Sequence, residues 1–183
     1  MLHAPRNTLL AFATLLALGA TGPAFAEGPV LVTVSGAVEN PNRGPIDPDM
    51  DKLFVFTDVS FDKAMEFDLA TLQGLPQVTV SADFPKDGPT VAFSGPKLAD
   101  VLGAAGAEGE MVTVQAMDGY AVEVPMSEMV DKGAVVALSR DGKPLGIGGF
   151  GPTQIVFPRA ERADLAEMPD DWWIWSIYHI SVE

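Results

Sequence analysis

Short β-rich runs, each cut off by glycine, proline or an Asp-Gly pair, set the tightest limit on what this chain can fold into. Val30 to Val38 is β-branched, Leu53 to Phe61 carries Phe54, Phe56, Val59 and Phe61, and Gln77 to Ala82 alternates. Each reads as a strand, and in the alternating run one side of the pleated segment faces a core. Thr90 to Phe93, Met111 to Met117, Tyr120 to Val124, Ala134 to Ser139 and Gln154 to Phe157 read the same way, and Trp172 to Val182 closes the chain as an aromatic-rich strand. Asp118-Gly119 and Arg140-Asp141-Gly142-Lys143 are hairpin signals between such runs. Glu39 to Asp51, dense in Pro, Asn, Gly and Asp, reads as a long loop. Helices are short. Asp68 caps Leu69 to Gln73, Pro96 opens one carrying Leu98, Val101 and Leu102, Pro125 to Lys132 forms another, and Ala160 to Glu167 gives a helical turn. About nine strands, mostly adjacent pairs, with three or four short helices predict an α+β fold with a mixed, largely antiparallel sheet system. No internal repeat or low-complexity block appears, and no composition shift marks a domain joint.

The first 26 residues read as an address. Arg6 gives a weakly positive start, Leu9 to Ala20 is uncharged and mostly apolar, Thr21-Gly22-Pro23 breaks it, and Ala24-Phe25-Ala26 is a small-x-small cleavage site. The apolar run is too short to span a bilayer comfortably. This is the pattern of a secretory signal peptide over 1–26, cut after Ala26, leaving a single domain over 27–183. In a Gram-negative cell the product sits in the periplasm, with no membrane insertion once mature.

Charge and residue inventory exclude several chemistries. With 25 Asp and Glu against 11 Lys and Arg, the net charge is -14, which argues against a nucleic-acid partner. There is no Cys, so no disulfide, thiolate metal site or Cys nucleophile. His179 is the sole His after the leader and lies in the last strand, where a structural role is expected. No Ser lies in a Gly-x-Ser-x-Gly context, the Gly146–Gly151 loop precedes a strand rather than a helix, and Asp47, Asp49 and Asp51 lack the Gly and Glu of a calcium loop. No catalytic residue and no metal ligand is therefore named.

The aromatic residues are more informative. Trp172, Trp173 and Trp175 are all the Trp in the chain. On a strand Trp173 and Trp175 face one way, and three indole N–H groups are hard to keep in a dry core. A flat aromatic wall suits a planar heterocycle, with Tyr120 and Phe150 able to add to it. Arg140 and Arg159 are scarce cations at strand ends, placed to meet a ligand oxygen.

Five segments in order carry a resemblance. They are FSGPKLADVLGAAGA (Phe93 to Ala107), VTVQAMDGYAVEVPMSEM, VVALSRDGKPLG, GGFGPTQIVFPR and WIWSIYHISV. Together, from about Phe67 to Val182, they resemble the sulfite-oxidase-type molybdopterin-binding fold. In that family's enzymes a Cys thiolate holds molybdenum on the strand before the Phe93-Ser94-Gly95 element. Here that strand is QVTVSADFP, and the region near Ser81 and Ala82 has no sulfur. A hydroxyl does not replicate a soft thiolate donor.

The chain is similar to the small exported members of this superfamily that bind reduced pterins. Those members regulate a membrane-bound cyclic-di-GMP enzyme through its periplasmic region. The resemblance implies an exported non-catalytic protein that binds a reduced pterin without metal and relays occupancy to such a membrane partner. Its ligand-binding candidates are Ser81, Asp83, Asp118, Tyr120, Arg140, Phe150, Arg159, Trp173 and Trp175. Two alternatives stand beside it: a periplasmic molybdopterin-dependent oxidoreductase subunit, and a scaffold that binds protein only.

Overall fold

The β-branched opening run and the closing run lie side by side at the centre of one sheet. The computed structural model describes Met1 and residues 27–183, so the leader expected over 1–26 lies, Met1 apart, outside the described residues. In chain order the elements begin β1 (Val30–Gly36), α1 (Lys52–Phe56), β2 (Ala64–Asp68), α2 (Leu69–Gly74), β3 (Gln77–Ala82), β4 (Val91–Pro96) and α3 (Leu98–Ala105). They continue with β5 (Met111–Ala116), β6 (Ala121–Pro125), α4 (Met126–Asp131), β7 (Val135–Ala137), β8 (Ser139–Arg140), β9 (Lys143–Pro144), β10 (Gln154–Val156) and β11 (Ile177–Val182).

A five-stranded sheet runs β2-β1-β11-β5-β6, a four-stranded sheet runs β3-β4-β8-β9, and β10 pairs with β7. Among the paired strands only β1 and β11 are parallel. This is the mixed, largely antiparallel α+β architecture expected. In the five-stranded sheet Val32, Val34, Phe67, Val112, Val114 and Ile180 are fully buried and point to one core. Each such side chain contributes roughly 1.5–3 kcal/mol by leaving water. Register places Thr33 beside His179 and Gln115, and Ser35 beside Ser181 and Thr113, all on the other face. Alternation thus gives the sheet one apolar and one hydrophilic face.

Four expectations change. Leu53 to Phe61 is no strand, because α1 takes its start and only Phe54 of that helix is buried. The Thr57 hydroxyl bonds back to the Leu53 carbonyl, and Asp58 sits at φ 56 just past the helix end. Phe54 then meets Phe61 edge-on at 5.3 Å, so these two rings form a small cluster instead of a pleated face, and Phe56 is left exposed. Pro96 ends β4 and does not open α3, which Lys97 caps. Here Gly95 lies against the backbone of Val136, where a Cβ would stand 2.0 Å from the carbonyl oxygen, and this crossing keeps the chain extended. The closing strand starts at Ile177 because Ser176, at φ 52, breaks it, and Asp170–Trp172 is a 3-10 turn. Finally, the helical turn expected over Ala160 to Glu167 shrinks to a 3-10 turn at Ala163–Leu165.

Asp68 caps α2 as expected. Its carboxylate accepts from the Thr71 N–H at 2.8 Å and from the N–H groups of Gly28 and Glu27 at 2.8 and 2.9 Å. The Thr71 hydroxyl also donates to it, and this bond, with the three backbone ones, holds the carboxyl well below the usual carboxylate range.

Candidate functional site

Beyond the end of β3 the chain turns through Asp83, Phe84 and a cis Phe84-Pro85 bond. Arg159, three residues past β10, reaches into this turn and is only 4% exposed. Its Nε donates to Asp83 at 2.6 Å, and its Nη1 donates to Asp170 and to the Met168 carbonyl, each at 2.8 Å. Its Nη2 donates to the Asp83 carbonyl. Burial works against charge on both partners. The hydrogen bonds to Asp83 and Asp170 outweigh it and raise the Arg159 pKa, while the guanidinium holds the Asp83 carboxyl below its ordinary range.

The guanidinium lies 4.4 Å from the Trp173 ring centre, and Phe84 stacks on the same indole at 5.4 Å and 8°. Phe157 meets it edge-on at 5.6 Å. Trp173 is therefore 1% exposed and offers no open ring face. Its Nε1 and both amide atoms of the fully buried Gln154 have no protein hydrogen-bond partner.

Above this layer opens a cleft of about 420 Å³. Phe84, Pro85 and Ala116 form its apolar lining, and the β5–β6 turn brings Asp118 and Tyr120 to one side. Gly119 holds that turn at φ 91, and Asp118 Oδ1 accepts from the Tyr120 N–H at 3.0 Å. On the other side stand Asp170, Asp171 and Trp175. The Tyr120 hydroxyl donates to the Asp171 carbonyl at 3.1 Å, so the two sides touch. Tyr120 is 51% and Trp175 43% exposed, and Phe150 braces Trp175 edge-on at 6.3 Å. Every ionisable side chain in the lining other than the Tyr120 phenol is a carboxylate; neither Lys nor Arg contributes.

Four of the nine residues singled out from the sequence line this cleft: Asp118, Tyr120, Trp173 and Trp175. Asp83 and Arg159 lie beneath it, bound to each other, so Arg159 is no free cation for a ligand oxygen. Phe150 stands behind Trp175. Arg140 does not line the cleft. Its guanidinium lies 5.6 Å from the Phe93 and Phe150 ring centres, and it is the one described Arg without an ion pair. Ser81 does not line it either; its N–H bonds Glu161 and its carbonyl bonds Ala160. Trp173 and Trp175 do not form one wall, since the 3-10 turn and Ser176 replace strand alternation there. The sequence reading missed Phe84, Pro85, Asp170 and Asp171. The Phe-Pro after Asp83 and the Asp-Asp before the Trp run were the available signals.

The family described as the oxidoreductase molybdopterin binding domain matches residues 39–163. No curated protein matches the chain. Among solved structures, the sulfane dehydrogenase SoxCD from Paracoccus pantotrophus shares the fold at a TM-score of 0.57 with 16% identity. The match covers 82% of this chain and 37% of that one, so the chain spans well under half of the solved relative.

The cofactor implied by that description joins a pterin ring to a phosphorylated tail and molybdenum. The residues present fit its parts unequally. With no Cys in the chain and only carboxylates as charged groups in the cleft, thiolate-held molybdenum and a phosphate do not fit. The ring does fit. It is flat like the exposed Trp175 and Tyr120 faces, and its amino and N–H donors match carboxylate acceptors at Asp118 and Asp171.

Proposed function

Since the chain belongs to the oxidoreductase molybdopterin binding domain family, we propose that it is an exported protein that binds a reduced pterin and performs no thiolate-held molybdenum chemistry. One observation carries this reading: a cleft with exposed aromatic faces whose charged lining is entirely carboxylate. Trp175 stacks on the ring and contributes about 1–3 kcal/mol, as aromatic platforms do for other planar bases. Asp118 and Asp171 accept from the ring's amino and N–H groups and set its orientation. The Arg159–Asp83–Asp170 layer keeps the floor rigid beneath it.

Export rests on the leader pattern over residues 1–26. The relay of occupancy to a membrane-bound cyclic-di-GMP enzyme rests on the resemblance to exported pterin-binding regulators. The Tyr120–Asp171 contact across the cleft supports it physically, because a guest entering there changes the surface a partner would read. A second reading, a molybdopterin-dependent oxidoreductase subunit, is favoured by the family description and by the fold shared with SoxCD. It needs a molybdenum ligand other than Cys and cations supplied from elsewhere.

Calorimetry with tetrahydrobiopterin, joined to elemental analysis of the protein purified from periplasm, tests the reading. The expected result is saturable binding at one site without molybdenum. Stoichiometric molybdenum would overturn it in favour of the oxidoreductase subunit. Neither metal nor binding would leave a protein-binding scaffold.

A further inference from the structure

The hydrophilic face of the five-stranded sheet is not open to bulk water throughout. The segment Asp58–Lys63 borders it and forms one wall of a second, half-open cavity of about 450 Å³. Its floor comes from three adjacent strands. Ser35, Ser181 and Thr113 lie in register in one row, and His179 and Gln115 in the next. Neighbouring strands are about 4.8 Å apart, so the floor is a regular grid of hydroxyl, amide and imidazole groups. Ser35 Oγ and His179 Nε2 are 2.8 Å apart, and both residues are buried. Among the described residues no side chain or backbone group pairs with His179 Nδ1 or with the side chains of Ser181, Thr113 and Gln115.

The wall is held firmly. Val59 N–H bonds the Phe54 carbonyl at 2.9 Å, and the Thr57 and Tyr178 hydroxyls bond each other. Phe61 packs on Phe54 and lies within 20° of parallel to the His179 ring, 6.1 Å away. Asp58 occupies the left-handed position at the end of α1, where Gly is usual, and lines the cavity.

We infer that this cavity is a binding site for a small neutral saccharide, separate from the pterin cleft. The floor groups both donate and accept hydrogen bonds, and so does a sugar hydroxyl. Asp58 and Asp62 add acceptors for neighbouring hydroxyls, and Phe61, whose ring packs on His179 and lies under the Arg43 guanidinium, adds an apolar border. A phosphate or carboxylate guest would meet Asp58, Asp62 and Glu183 with Lys63 alone in compensation. An apolar guest would strip water from the floor and leave it unpaired, which is unfavourable for every group concerned. Burial pushes His179 down to about 4, so its imidazole is neutral near pH 7 and the floor carries no charge. The two sites use opposite faces of β5: Ala116 borders one and Gln115 the other.

The test is nuclear magnetic resonance of the full protein titrated with glucose, galactose, N-acetylglucosamine and N,N′-diacetylchitobiose, with glucose 6-phosphate as the anionic control. The Gln115 side-chain amide and the His179 ring are the reporters. At least one neutral sugar shifts both saturably, with a Kd of about 1 mM or weaker. Gln115→Ala and Ser181→Ala, both at half-buried positions, weaken that binding about tenfold while thermal unfolding stays unchanged. Any one of three results overturns the proposal: no saturable shift with any sugar, tighter binding of glucose 6-phosphate than of glucose, or shifts centred on Trp175. Concentration-dependent loss of the reporter signals without sugar would also overturn it, in favour of a second copy covering this face. Probes and reporters differ from those of the pterin cleft, so each reading fails or stands alone.

Discussion

On one face of β5, Ala116 borders a cleft whose charged floor groups are paired with one another, while the Trp173 Nε1 and the Gln154 amide beneath it are not. On the other, Gln115 borders a cavity whose polar groups are largely unpaired. Below the first, Arg159, Asp83 and Asp170 satisfy each other, and only rim groups such as Trp175, Tyr120, Asp118 and Asp171 remain for a guest. Across the second, a grid of Ser, Thr, Gln and His is left to water or to a ligand. A buried charged network fixes the shape of a site, whereas unpaired neutral groups supply its recognition. The same sheet uses one device on each side.

The sharpest way to break this contrast is at Arg159. Arg159→Leu leaves Asp83 and Asp170 without their shared cation, and a loss of about 3–5 kcal/mol is expected in urea unfolding. Trp173→Ala opens a hole beneath Phe84 and beside Phe157, with an expected cost of about 3–5 kcal/mol in the same assay. If both variants unfold at wild-type denaturant concentrations, the floor is not the rigid layer described.

The opposite face answers to acid. His179 titrates at about 4 when folded against 6.5 when free. As pH falls from about 6.5 to 4, the unfolded chain takes up the proton first, so stability contributed by the neutral imidazole drains away. Over that window the change is on the order of 3 kcal/mol. Below it the loss continues through Asp83 and Asp51, whose carboxyls are held below their ordinary values. His179→Gln should flatten the slope of unfolding free energy between pH 6.5 and 4 and leave the more acidic part unchanged. A wild-type slope in that variant would mean that other groups carry the acid sensitivity.

Two smaller effects sharpen the comparison. Trp175→Ala should weaken tetrahydrobiopterin binding by about 1–3 kcal/mol in calorimetry while leaving stability within about 0.5 kcal/mol. Arg140→Ala should cost about 0.5–1 kcal/mol of stability through its lost ring contacts and leave pterin affinity unaltered. A pterin effect at Arg140 would extend the cleft past Phe150.

Much of this layout was legible in the chain. Gln77 to Ala82 is a strand with the expected ends because its alternation is clean and its flanks are turns. The hairpin at Asp118-Gly119 forms for the same local reason, with Gly119 taking the positive φ. Asp68 was readable as a cap because the acceptor and the N–H it binds lie three residues apart. What failed depended on distant partners. Phe54, Phe56, Val59 and Phe61 give the run the apolar content of a strand, yet packing between Phe54 and Phe61 and the turn at Asp58 override it. Arg159 reads as a free cation until Asp83, far away in sequence, closes on it. The hydrophilic cavity left no local signature, since its floor is assembled from strands at both ends and the middle of the chain.

The left-handed residue Ser176 has an optical consequence. By ending strand alternation just after the Trp run, it leaves one indole sealed among aromatic rings and another bordering water. The sealed indole emits toward the blue and is hidden from iodide; the wet one emits toward the red and is open to the quencher. A planar guest seated on Trp175 would dim the red component first, while Trp173 serves as an internal standard for intactness of the fold. With the half-buried Trp172 replaced by Phe, the molecule would carry its own two-colour gauge of occupancy and integrity, with no dye attached.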